Sequence, residues 1–272
     1  MTTPHAPTDL LTRIAADRRR RVEEAKAQTP VWALRERLGS PRPGGRLERA
    51  LRRGGAAAPL RLLCEIKRAS PSKGMLRPDL DPVEFASLYE RGGASAISLV
   101  TEPDHFGGDS AWVPAVRAAV ALPLLVKDFI VDSWQLLDAA VRGADGVLLL
   151  AALLSDVQLQ RLISEARLLG LDCLVEVHDA AELQRSLRAG ATLVGINNRD
   201  LRTFEVDLGT SIALAPDVPP LVTAVAESGL SRPEDLARLR TTRCDAVLIG
   251  EAFMTSPDPA QTLAGLARAA RG

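Results

Sequence analysis

The stretch Asp145-Gly-Val-Leu-Leu-Leu150 is a short apolar run that indicates the fold of the whole chain. A strand with one face in water alternates apolar and polar residues, whereas this run has no polar side chain after its first residue. That pattern is typical of a strand buried on both faces of a parallel sheet. Seven similar runs occur at the spacing of one strand–helix unit. The eight runs are Leu62–Lys67, Ala94–Val100, Pro123–Lys127, Asp145–Leu150, Asp172–Val177, Leu193–Asn197, Leu221–Ala226 and Asp245–Gly250.

The segments between these runs carry helix signals. Pro82–Arg91 precedes Gly92–Gly93, and Ala180–Ala189 precedes Gly190, the usual position of a glycine that ends a helix. Ser231-Arg-Pro-Glu234 has the spacing of a capping box and predicts the start of the helix after the seventh strand. Eight strands that alternate with helices favour a closed (β/α)8 TIM barrel of the α/β class. Because no GxGxxG motif follows the first run, an open dinucleotide-binding sheet is disfavoured.

Residues 1–58 precede the repeat, and we expect them to form an N-terminal helical extension of a single barrel domain, with the barrel over residues 59–272. An amphipathic helix is predicted from Leu10, Leu11, Ile14 and Ala15. Its basic run, Arg18–Arg21, is expected to face solvent, with a polyanion site as the alternative. A second helix is predicted over Val31–Leu38, before a segment rich in proline and glycine. We expect the extension to cover one end of the barrel as a lid or brace.

Composition and charge narrow the classes of function. Lys and Arg together number 34, as do Asp and Glu, so the net charge is zero and binding to nucleic acid or to an anionic membrane is not expected. The three cysteines are scattered, which fits a reducing compartment and predicts neither a disulfide framework nor a metal site. The N-terminus lacks the apolar core of a signal peptide, and the longest apolar run is about half of a membrane span. We therefore expect a cytoplasmic protein, with its oligomeric state open and a monomer favoured.

Ionisable residues stand at the carboxyl ends of five of the eight runs, and in a barrel these ends form the mouth that carries the active site. Glu65 and Lys67 are two residues apart on one strand, so both should point toward the barrel axis. The corresponding residues of later strands are Lys127, Glu176, Asn197 with Arg199, and Glu227. Lysines among buried glutamates shift pKa values in both directions, as general acid–base catalysis requires. A mutually compensating structural network is the alternative.

Two glycine turns follow the last two strands, at Ser228-Gly229 and at Gly250-Glu251. Glycine lets backbone N–H groups approach an anion, and this is where phosphate binds in many barrels. We therefore expect a phosphorylated small-molecule substrate, although two simple tight turns would have the same sequence. His105 and His178 lack a second ligand at metal-binding spacing, so hydrogen-bonded structural roles are expected for both.

Five motifs resemble those of the indole-3-glycerol-phosphate synthase family. They are Cys64–Gly74 (CEIKRASPSKG), Leu125–Ile130 (LVKDFI), Val175–Asp179 (VEVHD), Gly195–Leu201 (GINNRDL) and Glu227–Gly229 (ESG). The resemblance runs from about residue 60 to about residue 256. It implies closure of 1-(2-carboxyphenylamino)-1-deoxyribulose 5-phosphate to indole-3-glycerol phosphate, with release of CO₂ and water, in tryptophan biosynthesis. It implies neither a cofactor nor a metal.

The resemblance also implies roles for the residues at the mouth. Lys127 would protonate the ribulose carbonyl during ring closure, and Glu176 would stabilise the cationic intermediate and assist proton transfer. Glu65 and Lys67 would serve the later dehydration. Asn197 and Arg199 would hold the anthranilate end of the substrate. The remaining residues expected to contact substrate are Ser70 in the loop after the first strand, Phe106 and Phe129 as apolar walls, Glu227 in the polar ring, and Ser228, Gly229, Gly250 and Glu251 at the phosphate.

Two positions depart from the family pattern, and two other interpretations stay open. Val126 stands where the family often has Cys or Arg, and it should point away from the mouth. Glu251 stands where some members have Ser, so its carboxylate should turn away from a phosphate. The first rival is a Schiff-base aldolase that uses Lys127 on a phosphorylated substrate. The second is an inactive barrel retained for assembly with other tryptophan-pathway proteins.

Overall fold

The computed structural model describes residues 10–39, 43–55, 57–200 and 203–272, and it confirms the predicted barrel. Eight parallel strands pair in chain order, and the first pairs with the last to close the barrel. Each strand lies within two residues of its predicted bounds. The strands are β1 (Arg61–Ile66), β2 (Ala96–Val100), β3 (Leu124–Lys127), β4 (Gly146–Leu150), β5 (Asp172–Val177), β6 (Leu193–Asn197), β7 (Thr223–Glu227) and β8 (Ala246–Ile249).

Helices precede the first strand, and at least one helix follows every strand. They are α1 (Leu10–Gln28), α2 (Val31–Arg37), α3 (Arg46–Leu51), α4 (Pro82–Arg91), α5 (Pro103–Phe106), α6 (Trp112–Ala119), α7 (Ser133–Arg142), α8 (Asp156–Leu168), α9 (Ala180–Arg188), α10 (Gly209–Leu214), α11 (Pro233–Arg240), α12 (Glu251–Met254) and α13 (Pro259–Arg271). A 3-10 turn spans Ala215–Asp217, and two short strands, Ala69–Ser70 and Gly74–Met75, form a hairpin in the loop after β1.

Side chains alternate between the outer and inner faces of the barrel, as strand geometry requires. On β1, Leu62, Cys64 and Ile66 belong to the core between strands and helices. Leu63 packs in the barrel interior, and Glu65 lines the cavity at the mouth. Val126 lies in the outer core, so its predicted orientation away from the mouth is confirmed.

Helix α3 closes the amino-terminal end of the barrel. Leu47 and Leu51 are fully buried in the interior cluster, which also contains Leu63 of β1. The carboxylate of Asp172, at the start of β5, accepts hydrogen bonds from backbone N–H groups of Gly45 and Glu48 at the start of this helix. Helix α3 was not predicted from the sequence, because a six-residue helix spans under two turns and gives little periodic signal.

Helix α1 covers the opposite end. Leu10, Leu11 and Ile14 line the cavity at the mouth. Because α3 closes one end and α1 covers the other, the expectation that the extension covers a single end is wrong. Residues 1–9, 40–42 and Leu201, which entered the sequence predictions, lie outside the described residues.

The expectation that the whole basic run Arg18–Arg21 of α1 faces solvent is also wrong. Arg18 makes two hydrogen bonds to the buried carboxylate of Asp128, with N–O distances of 2.8 and 2.7 Å. Arg21 pairs with Asp104 beside the mouth. Both arginines follow Ile14 at helical spacing, four and seven residues on, so they share its barrel-facing side. Arg19 and Arg20 are exposed, as predicted.

The capping carboxylate of α11 lies one residue after the predicted position. The helix begins at Pro233, and the carboxylate of Asp235, rather than Glu234, accepts from the backbone N–H groups of Ser231 and Arg232. Proline favours the first helical position, which places Asp235 in the third. The other predicted helix ends differ from the structure by at most one residue, since α2 ends at Arg37 and α9 at Arg188.

The substitution Leu47→Ala tests whether α3 belongs to the barrel core. It removes a fully buried side chain, so the free energy of unfolding should fall by about 2–5 kcal/mol in urea titrations followed by circular dichroism. Leu168→Ala on α8 is the matched control, because Leu168 is 79% exposed and surface changes stay within about 0.5 kcal/mol. An equal fall in the free energy of unfolding of the two variants would contradict this packing role.

Candidate active site

A cavity of about 390 Å³ opens at the carboxyl ends of the strands. Its volume suits a single small-molecule ligand. The structure brings all the residues predicted for the site to this cavity, while their chemical roles remain predictions. They are Glu65, Lys67, Ser70, Phe106, Lys127, Phe129, Glu176, Asn197, Arg199, Glu227, Ser228, Gly229, Gly250 and Glu251.

The ammonium group of Lys127 lies at the centre of three carboxylates. Its Nζ is 3.9 Å from an oxygen of Glu65, 3.8 Å from Glu176 and 3.9 Å from Glu227. Burial by itself lowers the pKa of Lys127, but the negative charges of the three glutamates outweigh it and raise that pKa above its ordinary value. Lys127 is therefore a protonated group at neutral pH and can donate a proton into the cavity.

Glu65 and Lys67 form a second charged pair in the same cavity. Nζ of Lys67 is 2.8 Å from Oε1 of Glu65. Burial raises the pKa of Glu65, but the charges of Lys67 and Lys127 outweigh it, so the pKa lies below its ordinary value. An ionised carboxylate in contact with an ammonium group provides a proton acceptor and a proton donor side by side.

The carboxylate of Glu176 is held from three sides. Its Oε1 accepts a hydrogen bond of 2.9 Å from Nδ2 of Asn197 and lies 3.4 Å from Nε2 of His178, while its Oε2 faces Lys127. Burial raises the pKa of Glu176, but Lys127, His178 and Asn197 favour the anion more strongly and lower the pKa to about 2. Glu176 is thus a fixed negative charge at neutral pH.

Glu227 differs from the other two glutamates. It is 1% exposed, and its Oε1 has no hydrogen-bond partner among the described residues. Burial and the charge of Glu176 raise the pKa of Glu227 to about 8, against the opposing effect of Lys127. Its side chain fits because Gly195 leaves space: a Cβ there would lie 1.8 Å from Oε1 of Glu227. The site therefore holds a neutral carboxylic acid beside ionised carboxylates.

The turn after β7 has an unusual backbone. Ser228 and Gly229 both have positive φ angles, 67° and 75°, a conformation that L side chains rarely adopt. Nδ2 of Asn198 donates to the carbonyl oxygens of Glu227 and Ser228 and holds the turn in place. Successive backbone N–H groups in a turn can form an anion-binding concavity. Asn198 lies within one of the five family motifs, but its position in the sequence predicted no role for it.

The turn after β8 passes close to β1. A Cβ added at Gly250 would lie 2.8 Å from the Cβ of Glu65, so only glycine lets the backbone approach at this point. The carboxylate of Glu251 turns toward two cations: its Oε1 is 2.6 Å from Nζ of Lys73, and its Oε2 is 3.6 Å from Arg199. Lys73 also lines the cavity but was not singled out from the sequence.

One side of the cavity is apolar. The rings of Phe106 and Phe129 face each other with their centroids 6.1 Å apart. Glu102 accepts hydrogen bonds from three backbone N–H groups of α5, including that of Phe106, and so fixes this ring at the mouth. Leu148 and Leu150 of β4 and residues of α1 complete the wall. The sequence did not predict these contributions, because periodicity cannot show which loop or strand end a helix meets.

The two histidines beside the mouth contact carboxylates. Nε2 of His105 lies 3.2 Å from Asp17, and Nδ1 of His178 lies 3.1 Å from Glu182. Over the described part of the chain, no three His, Cys, Asp or Glu side chains are grouped as a metal site. Over the same residues, no helix is both long enough and apolar enough to span a membrane.

Comparisons with known proteins agree with the motifs. The model of the indole-3-glycerol phosphate synthase family matches residues 11–266. The indole-3-glycerol phosphate synthase of Carboxydothermus hydrogenoformans is 45% identical over 257 residues, which cover 93% of this chain and 97% of that protein. That of Leptothrix cholodnii is 42% identical and covers 95% of this chain and 99% of its own length.

Two solved structures with low sequence identity to this chain share only its fold. The 3-hexulose-6-phosphate synthase of Salmonella typhimurium superposes with a TM-score of 0.64 at 14% identity, over 77% of this chain and 98% of that one. The thiamine phosphate pyrophosphorylase of Pyrococcus furiosus superposes with a TM-score of 0.57 at 17% identity, over 77% of this chain and 95% of that one.

Replacing Glu227 by Gln should change how stability depends on pH. The pKa of Glu227 in the folded protein, about 8, lies above the ordinary value of 4.5, so the folded protein keeps a proton that the unfolded chain has lost. Stability conferred by this group is therefore lost as pH rises from about 4.5 to about 8. From about pH 6 to pH 9, Glu227→Gln should gain stability over the parent, on the order of a few kcal/mol.

Urea unfolding at several pH values measures this gain. The matched control is Glu234→Gln on the exposed face of α11, which should show no comparable trend. If the free energies of unfolding of Glu227→Gln and the parent differ by the same amount at every pH, the result would contradict a protonated Glu227.

Proposed function

The chain belongs to the indole-3-glycerol phosphate synthase family, and we propose how its barrel mouth performs that reaction. The enzyme is a carboxy-lyase of tryptophan biosynthesis that converts 1-(2-carboxyphenylamino)-1-deoxyribulose 5-phosphate to indole-3-glycerol phosphate, CO₂ and water. The observation that carries the assignment of roles is the protonated lysine held among three carboxylates in one cavity.

Lys127 acts as the acid of ring closure. The aromatic carbon that bears the carboxylate attacks the ribulose carbonyl carbon, and the carbonyl oxygen takes a proton to become a hydroxyl group. Lys127 suits this step, because its raised pKa keeps a proton available at the centre of the cavity. Ring closure leaves positive charge on the aromatic portion, and the fixed negative charge of Glu176 stabilises it.

Loss of CO₂ follows, and the apolar side of the cavity assists it. Breaking the carbon–carbon bond to the carboxylate returns its electron pair to the ring and restores aromaticity. A carboxylate leaves more readily when it is not solvated by water. Phe106, Phe129 and Ile14 of α1 supply the apolar surroundings for this step.

Dehydration uses the pair formed by Glu65 and Lys67. The hydroxyl group made in the first step leaves as water after it receives a proton, and a C–H proton is removed to form the indole double bond. Lys67 serves as the acid and the ionised Glu65 as the base, which their contact of 2.8 Å supports. Glu65 is already an anion in the free enzyme, so it can accept the proton without a prior change of charge.

The two ends of the substrate bind different residues of the mouth. The turns at Ser228-Gly229 and Gly250 present backbone N–H groups to the phosphate. Asn197 and Arg199 bind the anthranilate end, and Ser70 fixes the loop after β1 by accepting a hydrogen bond from the backbone of Lys73. These protein groups account for each step without a cofactor or a metal.

A Schiff-base mechanism through Lys127 is less well supported. Its nucleophile must be an unprotonated amine, and such lysines have lowered pKa values. The three carboxylates shift the pKa of Lys127 in the opposite direction. The geometry therefore favours Lys127 as an acid.

We also propose that residues 1–272 form one domain, which the contacts of α1 and α3 with opposite ends of the barrel support. The free cysteines, two of them buried, fit a reducing compartment and hence the cytoplasm. The balance of 34 basic and 34 acidic residues argues against nucleic-acid partners. A monomer is the favoured state, which light scattering of the purified protein checks.

Turnover should depend strongly on Lys127. Lys127→Ala removes the acid of ring closure, so kcat should fall by roughly 10²–10⁴-fold while KM changes much less. Indole fluorescence, which appears as product forms, measures both constants. Lys26→Ala is the control: this lysine of α1 pairs with Asp132 and does not line the cavity, so turnover should be normal. Near-normal turnover of Lys127→Ala would refute the assignment.

Inorganic phosphate should compete with the substrate. If the turns after β7 and β8 bind the phosphate group, millimolar phosphate should raise KM without lowering kcat. Chloride at matched ionic strength serves as the control and should have a smaller effect. Inhibition that lowers kcat alone, or none beyond that of chloride, would argue against this phosphate site.

A further inference from the structure

We propose that His178 is a positioning residue that keeps the carboxylate of Glu176 ionised throughout turnover. The proposal rests on the catalytic role proposed for Glu176. His178 follows Glu176 by two residues at the carboxyl end of β5, yet it is not among the described residues that line the cavity. It therefore acts through Glu176 and does not touch the substrate.

The imidazole ring of His178 lies between two carboxylates. Nε2 is 3.4 Å from Oε1 of Glu176, and Nδ1 is 3.1 Å from Oε2 of Glu182 in the first turn of α9. The same oxygen of Glu182 accepts the backbone N–H of His178 at 2.8 Å, which fixes its position. The side chains of His178 and Glu182 are 18% and 17% exposed, so solvent screens this contact only in part.

The arrangement favours the imidazolium cation. A neutral imidazole has an N–H on one nitrogen and would present the lone pair of the other to a carboxylate, whereas the cation places an N–H toward each carboxylate. Burial lowers the pKa of His178, but the carboxylates of Glu176 at 3.4 Å and Glu182 at 3.1 Å outweigh it and raise the pKa to about 10. His178 thus carries a positive charge behind Glu176 at neutral pH.

This charge matters because the other cation beside Glu176 changes during the reaction. Lys127 faces Glu176 at 3.8 Å, and it loses its charge when it gives its proton to the substrate. The ionised carboxylate of Glu65 adjoins the same lysine, so without another cation its negative charge and the burial of Glu176 would draw a proton onto Glu176. Asn197 is neutral, and Glu182 is an anion. His178 is the remaining positive neighbour among the described residues that the structure places against Glu176.

The test is the pH dependence of kcat in His178→Gln, which keeps a neutral donor but removes the charge. Glu176 should then take up a proton at higher pH. The acid limb of the kcat profile should move upward by about one pH unit or more, while kcat on the plateau above that limb and KM change little. His105→Gln is the matched control, because His105 is 19% exposed and contacts Asp17; its profile should equal that of the parent.

The outcomes separate a charge effect from a structural one. Lower activity with an unmoved acid limb, or parent-like activity and profile, would overturn the proposal. If His178→Gln does not fold, Glu182→Gln carries the test, because it leaves the ring and removes one of its two carboxylates; a smaller shift in the same direction is expected, and no shift overturns the proposal. Glu176→Gln isolates the premise, since normal turnover in that variant would refute the role of Glu176 itself.

Discussion

The buried ammonium group of Lys127 and the three carboxylates around it form the interaction on which the site depends. A cation enclosed by protein is costly unless anions compensate it, and three anions around one cation would be costly in turn. The structure resolves both problems locally. Lys67 pairs with Glu65, Glu227 retains a proton, and Glu176 keeps its charge beside Lys127. At neutral pH the cavity therefore contains a protonated lysine, ionised carboxylates and a neutral carboxylic acid side by side.

The closed barrel is what makes this balance possible. Glu65, Lys127, Glu176 and Glu227 stand on β1, β3, β5 and β7, which are far apart in sequence and meet only because the sheet closes on itself. Alternate strands place their inward side chains at the same level of a barrel. The extension strengthens both ends: α3 fills the interior beneath the site, and Arg18 of α1 pairs with Asp128, the residue after Lys127. The cover of the mouth is thereby tied to the strand that carries the proposed acid.

Local sequence signals predicted the barrel and much of the site. Each strand is a short, mostly apolar run, and residues two apart on a strand must point the same way, so Glu65 and Lys67 were expected at one mouth. Features that depend on distant partners were not predictable. The barrel-facing direction of Arg18 is set by Asp128, which lies 110 residues away. Likewise, the proton on Glu227 results from its burial and from the charge of Glu176, and its side chain fits because residue 195 is glycine; none of these contacts has a local signature.

The charge state of Lys127 in the free enzyme is the quantity to measure. Lysine labelled with ¹³C at Cε and ¹⁵N at Nζ reports protonation by NMR, and Lys127→Arg identifies the resonance. The three carboxylates predict that Lys127 remains an ammonium group above its ordinary pKa of 10.5 as the pH is raised. If Lys127 instead loses its proton below that value, the surrounding carboxylates do not hold its charge, and its assignment as the acid of ring closure is contradicted.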